Sequence, residues 1–414
     1  MNYYELVKHK MSFFASCPLH LEPLLLEEIN AVEVKSTNVV RGGVEFEAYN
    51  EKVIELILNS RIASRIFRKY YSFVIKDEKE FSTALRQIKW RAIFDAQLRF
   101  KIMTHVAGDT RDYPRAFQNN LYLTQLTKDA VVDHFKKNDN YRPTVDTRNP
   151  EVTIYLHITP VGKKLQVDVL MDLCGDPLSD RGLRPMGRAV AAPLRENLAA
   201  AIIQLTGWNP QQERFVDLMC GSGTVLAEAY MFAKKIPPSF KKIQLFIDTE
   251  DQIFAFQNLW WFKNDHYLIR NFHGLVEKYS SHMQSLISMP KPLKGIDLYS
   301  DAVSATQALF SSIDAEQDIE VSKGNALNYE ASSTEKELLF CNPPYGVRLE
   351  KDEPELENLY YELGEQWKNY CKGSRAFIFT ANIPLLKKIS LRPSKKWELF
   401  NGQLPAKLVE YHLY

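Results

Sequence analysis

Two short segments of this chain carry residue types at spacings suited to chemistry. The first is Phe215-Val216-Asp217-Leu218-Met219-Cys220-Gly221-Ser222-Gly223-Thr224. It reads as an apolar strand, an acid, and a glycine-rich turn opening into a helix over Val225–Ala233. Glycines let a ligand approach the backbone, and a helix N-terminus offers free N–H groups. No Lys-Ser/Thr follows the second glycine, so this is not a phosphate-cradling loop. It also lacks the third glycine of the dinucleotide fingerprint. The second segment is Leu338-Leu339-Phe340-Cys341-Asn342-Pro343-Pro344-Tyr345-Gly346. Two prolines fix the backbone after a buried strand and remove two donors. The Asn342 side-chain oxygen, with a rigid carbonyl, can accept both hydrogens of an exocyclic amine and aim its lone pair at an electrophilic carbon. Tyr345 can stack on the base.

An acid at Asp217 disfavours a phosphate and suits a cationic ligand. S-adenosylmethionine, with an ammonium and a sulfonium, has that character. Asp217, Cys220, Gly221, Gly223 and Thr224 are therefore the first candidate cofactor-binding residues. Two more polar residues follow predicted strands. Asp297 ends Gly295-Ile296-Asp297-Leu298, where an acid can bridge both hydroxyls of a ribose. Asn325 follows the strand 319–323 and can meet an adenine edge. Ordinary turn chemistry also favours Asp and Asn at such places. Asp301 is expected at a helix N-terminus instead.

The elements that would position these residues fall into two halves. In the first, Phe13-Phe14-Ala15 reads as a strand, Pro18 to Ile29 as a helix, and Val44–Glu47 as a strand after Gly42-Gly43. Helical spacing returns over 51–67. A second cycle has helical spacing over 80–94, a strand over 98–106, a helix over 120–136, and strands over 152–158 and 165–173. A connector rich in Gly and Pro runs from Gly175 to Gly187. Beyond it, a helix over Pro193–Leu205 leads into strands at 214–218, 293–298, 319–323, 337–341 and 375–380 with helices between them. That rhythm predicts a mainly parallel α/β sheet covered on both faces. The segments around Trp397–Gly402 and Leu408–Leu413 read as a closing antiparallel strand pair. The stretch 234–294, with Trp260-Trp261-Phe262, is expected to add a core-packing helix.

Composition narrows the class. The chain has 414 residues, 45% hydrophobic and 25% charged, with a formal net charge of +1. These values exclude disorder and a polycation. Charge is nonetheless local: residues 61–115 hold 13 basic and 6 acidic side chains, among them Arg61, Arg65, Arg68, Lys69, Arg86 and Lys89, interleaved with Tyr70, Trp90 and Phe94. Such interleaving suits phosphate contacts and base stacking, although a solvated basic face over core aromatics is the simpler reading. No 18-residue apolar run and no signal core are visible, so neither membrane nor export is expected. Five scattered cysteines without a CxxC pair predict neither disulfides nor a metal site, and suit a reducing cytoplasm.

In this order, the motifs resemble the class I S-adenosylmethionine-dependent methyltransferases with an NPPY loop, which modify exocyclic amines. Segments 13–47, 57–66, 128–135, 141–158, 171–185 and 193–208, with both motifs and the tail, resemble more narrowly the THUMP-containing bacterial 23S rRNA guanine-N2-methyltransferases. The resemblance implies an N-terminal ferredoxin-like unit over 1–68, a THUMP RNA-binding domain over 69–172, a connector over 173–190 and a Rossmann-like methyltransferase domain over 191–414. It implies that Asp217, Gly221, Gly223 and Thr224 line the cofactor, Asp297 holds its ribose and Asn325 its adenine. Asn342, Pro343 and Tyr345 would hold the target base, with Asn342 also near the methionine part. One departure stands out: the adenine-contacting position is usually Asp in such enzymes and is Asn325 here. The chain resembles the shorter form of the family rather than the fusions with a second methyltransferase. The product expected is N2-methylguanosine in 23S rRNA. Alternatives are a tRNA guanine-N2 or DNA adenine-N6 methyltransferase, or a non-catalytic RNA-binding ribosome-assembly protein.

Overall fold

A computed structural model describes residues 10–34, 36–183, 194–285, 289, 291–344 and 353–414. Two seven-stranded sheets account for the two halves. The first holds β1 (Met11–Ser16), β2 (Ser36–Val40), β3 (Gly43–Ala48), β4 (Arg65–Ile75), β5 (Phe100–Val106), β6 (Val152–Val161) and β7 (Lys164–Asp172). Their order is β2-β3-β1-β4-β7-β6-β5, antiparallel except for β5 beside β6. Alternation explains its core face: Phe13, Ala15, Val44, Phe46, Ile102, Ile154, Leu156 and Val167 are buried at every second position. Helices α1 (Glu22–Ala31), α2 (Asn50–Asn59), α3 (Glu78–Gln87) and α4 (Asn120–Asp139) accompany it.

Strand β4 joins the two sub-units expected here. It pairs with β1 through residues 65–68 and with β7 through residues 67–75, so the sheet is continuous across position 68. The helical spacing over 51–67 does not persist as a helix. Helix α2 stops at Asn59, and Ile66 lies in β4. The reason is tertiary: the Glu28 carboxylate accepts from the Ser60 hydroxyl (2.6 Å) and the Arg61 and Ile62 backbone amides (2.9 and 3.3 Å). Those amides are withdrawn from a helical ladder. Ile62 and Ile66 keep the apolar period because a buried loop and a strand bury them equally well.

The second half contains α5 (Glu196–Thr206), β8 (Arg214–Asp217), α6 (Thr224–Ala233), α7 (Phe240–Thr249), α8 (Trp260–Lys263), α9 (His266–Gln284), β9 (Leu293–Asp297), α10 (Ser300–Ser311), β10 (Ile319–Lys323), β11 (Glu337–Cys341), α11 (Glu353–Tyr370), β12 (Arg375–Thr380), β13 (Lys395–Asn401) and β14 (Leu404–His412). The strand order is β10-β9-β8-β11-β12-β14-β13. Five neighbouring strands are parallel, and the expected hairpin completes the sheet: β14 runs antiparallel between β12 and β13, and β13 again follows the direction of the five. Successive residues enter different cores: Phe215 and Phe340 pack on one face, Val216 and Leu339 on the other. This is the mainly parallel, doubly covered sheet that the strand–helix rhythm predicts. No helix among the described residues is long and apolar enough to cross a membrane.

The stretch 234–294 does more than fill a core. It grips the first sheet. The Arg68 guanidinium lies between the rings of Tyr70 (4.9 Å) and Trp261 (5.3 Å). The Trp260 amide donates to the Ile93 carbonyl (3.1 Å), Phe256 to Leu173 (3.0 Å), and Lys263 pairs with Asp95 (3.2 Å). Much of the basic segment is thereby used internally. Arg61 and Arg68 are turned inward, Arg65 pairs with Asp172, and Lys69 pairs with Glu45 and Asp168. Trp90, Phe94 and Phe100 are core residues, whereas Arg86, Lys89 and Arg115 stay exposed.

Close approach of β1 and β3 requires a glycine. A Cβ on Gly43 would press on the Ala15 carbonyl oxygen and lie 2.5–2.7 Å from the Phe14 ring. Gly43→Ala should therefore destabilise the N-terminal sheet by about 1–3 kcal/mol, the usual penalty of overpacking. An unchanged urea midpoint for the transition of that half would refute the close approach.

Candidate active site

The ends of three parallel strands build the site. Asp217 is paired opposite Phe340 on one side and Gly295 on the other. Two residues beyond those partners stand Asn342 and Asp297. One sheet edge thus receives three polar side chains from distant parts of the chain, where strand order reverses between β8 and β11. In open α/β sheets this is where ligands bind.

The glycine-rich turn is tied down from both sides. The Cys220 amide donates to the Ile296 carbonyl (3.0 Å), and the Gly221 amide donates to Asp297 Oδ2 (2.9 Å). The Thr306 hydroxyl of α10 donates to the Gly221 carbonyl (2.9 Å). Gly223, at the N-cap of α6, has φ +80°, and a Cβ there would meet the Thr306 methyl at 2.8 Å. Left-handed backbone and close approach both demand glycine at that position. No side chain caps α6. Thr306 was not singled out from the sequence. Its only signal is a hydroxyl on the helix face that also buries Ala302, Leu309 and Phe310.

Asp217 is buried, and one oxygen accepts from the Met219 amide (3.2 Å). Burial pushes its carboxyl up to about 8, and the neighbouring Asp297 charge adds to the rise. Asp297 uses each oxygen once, towards Gly221 and towards the Tyr299 amide (3.0 Å). Each of its oxygens retains accepting capacity for a diol. Leu298 and Tyr299, 51% and 63% exposed, flank it as open apolar surface. The Gly324 amide donates to the Asp297 carbonyl (2.9 Å), which brings Asn325 alongside. Asn325 is exposed and caps the turn Ala326–Asn328 through Oδ1 on the Leu327 amide (3.0 Å). Asp301 lies in the first turn of α10, as its sequence context suggests.

Asn342 carries the most informative atom. Its Oδ1 is buried and has no hydrogen-bond partner among the described residues. An unpaired buried acceptor costs about 1–3 kcal/mol. The Oδ1 atoms of Asn50, Asn197, Asn258 and Asn271 share this state, and Asn342 is set apart by its place at the strand ends beside Asp217 and Asp297, where a ligand N–H can meet it. Pro343 beside it is buried, and burial holds the Cys341 thiol well above its ordinary range. Tyr345 lies outside the described residues. Among the described residues no cluster of His, Cys, Asp or Glu could hold a metal ion. The donor set suits a ligand with a cationic amine and a vicinal diol next to a second molecule that offers an amine N–H.

Residues 181–410 match the family described as RMKL-like, methyltransferase domain, which covers more than half of the chain. The chain belongs to the RMKL-like methyltransferase family. Residues 12–67 match the RlmL ferredoxin-like domain and 76–162 the THUMP domain. Among curated relatives, the ribosomal RNA large subunit methyltransferase K/L of Syntrophotalea carbinolica is 30% identical over 97% of this chain and 54% of its own length. Its namesake in Photobacterium profundum is 31% identical over 94% of this chain and 51% of its own. The chain therefore spans about half the length of the curated relatives it matches. SMU.472, solved in complex with SAH, shares the fold with a TM-score of 0.80 at 24% identity, covering 98% of this chain and 99% of that one. TrmN from Thermus thermophilus has a TM-score of 0.66 at 16% identity, covering 98% and 100%.

The raised Asp217 carboxyl has a measurable consequence in this RMKL-like domain. In the unfolded chain Asp217 ionises near its ordinary value of 3.8, whereas the folded protein keeps the proton to about 8. The folded state binds more protons between those values, so this group's contribution to stability is lost as pH rises through that window. Ligand-free Asp217→Asn should therefore gain stability relative to the unmodified chain as pH goes from 5 to 8. Parallel pH profiles of the denaturation midpoint would show that Asp217 is ionised throughout and the burial argument is wrong.

Proposed function

We propose that this chain is an S-adenosylmethionine-dependent methyltransferase that forms N2-methylguanosine in 23S ribosomal RNA. The observation that carries the reading is the orphaned Asn342 oxygen at the end of β11, beside the Asp217–Asp297 turn. The methyltransferase family and the names of the curated relatives support it. The THUMP match supports an RNA substrate, and a cytoplasmic setting follows from that substrate.

When bound, S-adenosylmethionine supplies a methyl carbon on a sulfonium. Asp217 takes the ammonium side, while the free N–H groups at the open N-terminus of α6 suit the carboxylate of the methionine part; Cys220, Gly221, Gly223 and Thr224 line the cofactor; Asp297 holds the ribose hydroxyls. Asn325 meets the adenine edge and can both accept and donate, so an acid is not needed there. Asn342 Oδ1 accepts one hydrogen of the guanine N2 amine, and the rigid backbone at Pro343 presents a carbonyl to the other. The amine lone pair then faces the methyl carbon. The part of Asn342 and the Pro343 backbone is to hold the amine in line with that carbon while the amine proton is released to solvent. Orientation supplies the main catalytic effect, so no histidine with a tuned pKa is needed. Residues 1–68 and 69–172 deliver the RNA, and 191–414 perform the transfer.

Single-turnover transfer to undermethylated 23S rRNA at saturating cofactor tests this. Asn342→Ala should slow transfer on the order of a hundredfold through misplacement of the amine. Tyr345→Ala should lose stacking worth roughly 1–3 kcal/mol, while Tyr345→Phe keeps most activity because the ring remains. Near-normal transfer by Asn342→Ala would remove the physical support for amine methylation. Nucleoside mass spectrometry discriminates the products: methylated tRNA guanine or DNA adenine would replace the rRNA reading. Absence of cofactor binding at millimolar concentration would favour the assembly-protein reading.

A further inference from the structure

Two sequence segments have no part in the strand-end site: the loop after α2, within 57–66, and the connector around Arg181. They meet in a buried charge cluster. Arg181 is fully buried. Its Nε donates to Glu228 Oε1 (2.9 Å), its second nitrogen to the Leu178 carbonyl, and its third to the Arg61 carbonyl (2.8 Å). The Arg61 guanidinium approaches the other Glu228 oxygen (3.7 Å) and donates to the Met231 and Ile236 carbonyls (3.0 and 2.6 Å). One glutamate of α6 thus receives an arginine from the N-terminal half and another from the connector. Further bonds hold the same loop: Asn197 of α5 donates to the Ser64 hydroxyl (3.1 Å), and the Ser239 hydroxyl donates to the Leu58 carbonyl (2.7 Å).

Such a cluster is an inefficient source of stability. Removing ions from water carries a desolvation penalty that offsets much of their attraction, and well-packed apolar side chains often do as well. What the planar arginine fork supplies is geometry, since its bonds close in one relative orientation. That orientation matters here because of where the ends lie. Arg61 lies four residues before β4, the central strand that pairs with β1 on one side and β7 on the other. Glu228 lies about 6 Å along α6 from Thr224, where the cofactor turn ends.

We propose that Arg61, Arg181 and Glu228 are positioning residues that fix the N-terminal half relative to Asn342, and so select which base of a structured RNA reaches the site. The proposal rests on the methyltransferase reading above. It assigns the cluster no contact with RNA or cofactor.

The test uses the full chain with spin labels at Lys163→Cys and Lys372→Cys, both exposed and one in each half. The five native cysteines are buried and free. In the Glu228→Gln background the inter-label distance distribution should broaden. Transfer to structured 23S rRNA at saturating RNA and cofactor should fall by about tenfold or more through misplacement of the base. Cofactor affinity, and transfer to a short guanosine oligonucleotide too small to reach the N-terminal sheet, should stay unchanged. Arg181→Lys, which keeps the charge but loses the fork, should give the same pattern and serves if Glu228→Gln does not fold. An unbroadened distribution overturns the proposal whatever the activity. So does a broadened one with unchanged rRNA transfer, or an equal loss on the short oligonucleotide. If the unmodified chain methylates no RNA, the functional reading fails, and the distances alone then decide whether the cluster holds the halves together.

Discussion

The parallel register of β8, β9 and β11 is the constraint on which the site depends. Asp217, Asp297 and Asn342 come from positions up to 125 apart in sequence, and only flush strand ends bring them to one edge. Each strand is buried on both faces, so its side chains alternate between two cores. A slip of one residue would drive Phe215 and Phe340 into the space filled by Val216 and Leu339. Packing in both cores therefore holds the chemistry in place, though none of those apolar residues touches a ligand.

The site is arranged at a local cost. Burial lifts the Asp217 carboxyl, the nearby Asp297 adds like charge, and the Asn342 oxygen finds no donor among the described residues. Backbone amides of Met219, Gly221 and Tyr299 offset part of this. The remainder is complementary to a cation at Asp217 and an amine at Asn342. A site satisfied within itself would have no such demand. On the proposed function, the same imbalance favours binding of the cofactor and the target base.

The strand-end site was legible because each piece is contiguous in sequence: a strand, one polar residue, and a turn whose glycines or prolines announce its geometry. The parallel sheet was legible for the same reason, since strands and helices alternate at lengths that period alone reveals. The junction between halves was not. Ile62 and Ile66 continue a helical apolar period, and Glu28, more than thirty residues earlier, takes the Ser60–Ile62 turn out of the helix. Trp260 and Trp261 looked like core aromatics, and Trp261 does cover apolar surface, but its Arg68 partner belongs to the other half. Bonds between distant residues leave no periodic trace in the sequence.

Charge shows the same distinction between composition and structure. Four cations of the basic segment, Arg61, Arg65, Arg68 and Lys69, are directed into the protein, where they hold strands and halves together. The exposed remainder, including Arg86, Lys89 and Arg115, lies on the part of the chain that matches the THUMP domain. On the proposed function, affinity for an RNA backbone belongs to these outer cations and is weakened by salt. The inner cations are screened less by salt, because their partners are carboxylates and carbonyls of the protein itself and, for Arg68, two aromatic rings, most of them shielded from solvent. One set of arginines can then govern how tightly RNA is held and another where it is held. A rise in ionic strength should act mainly on the first.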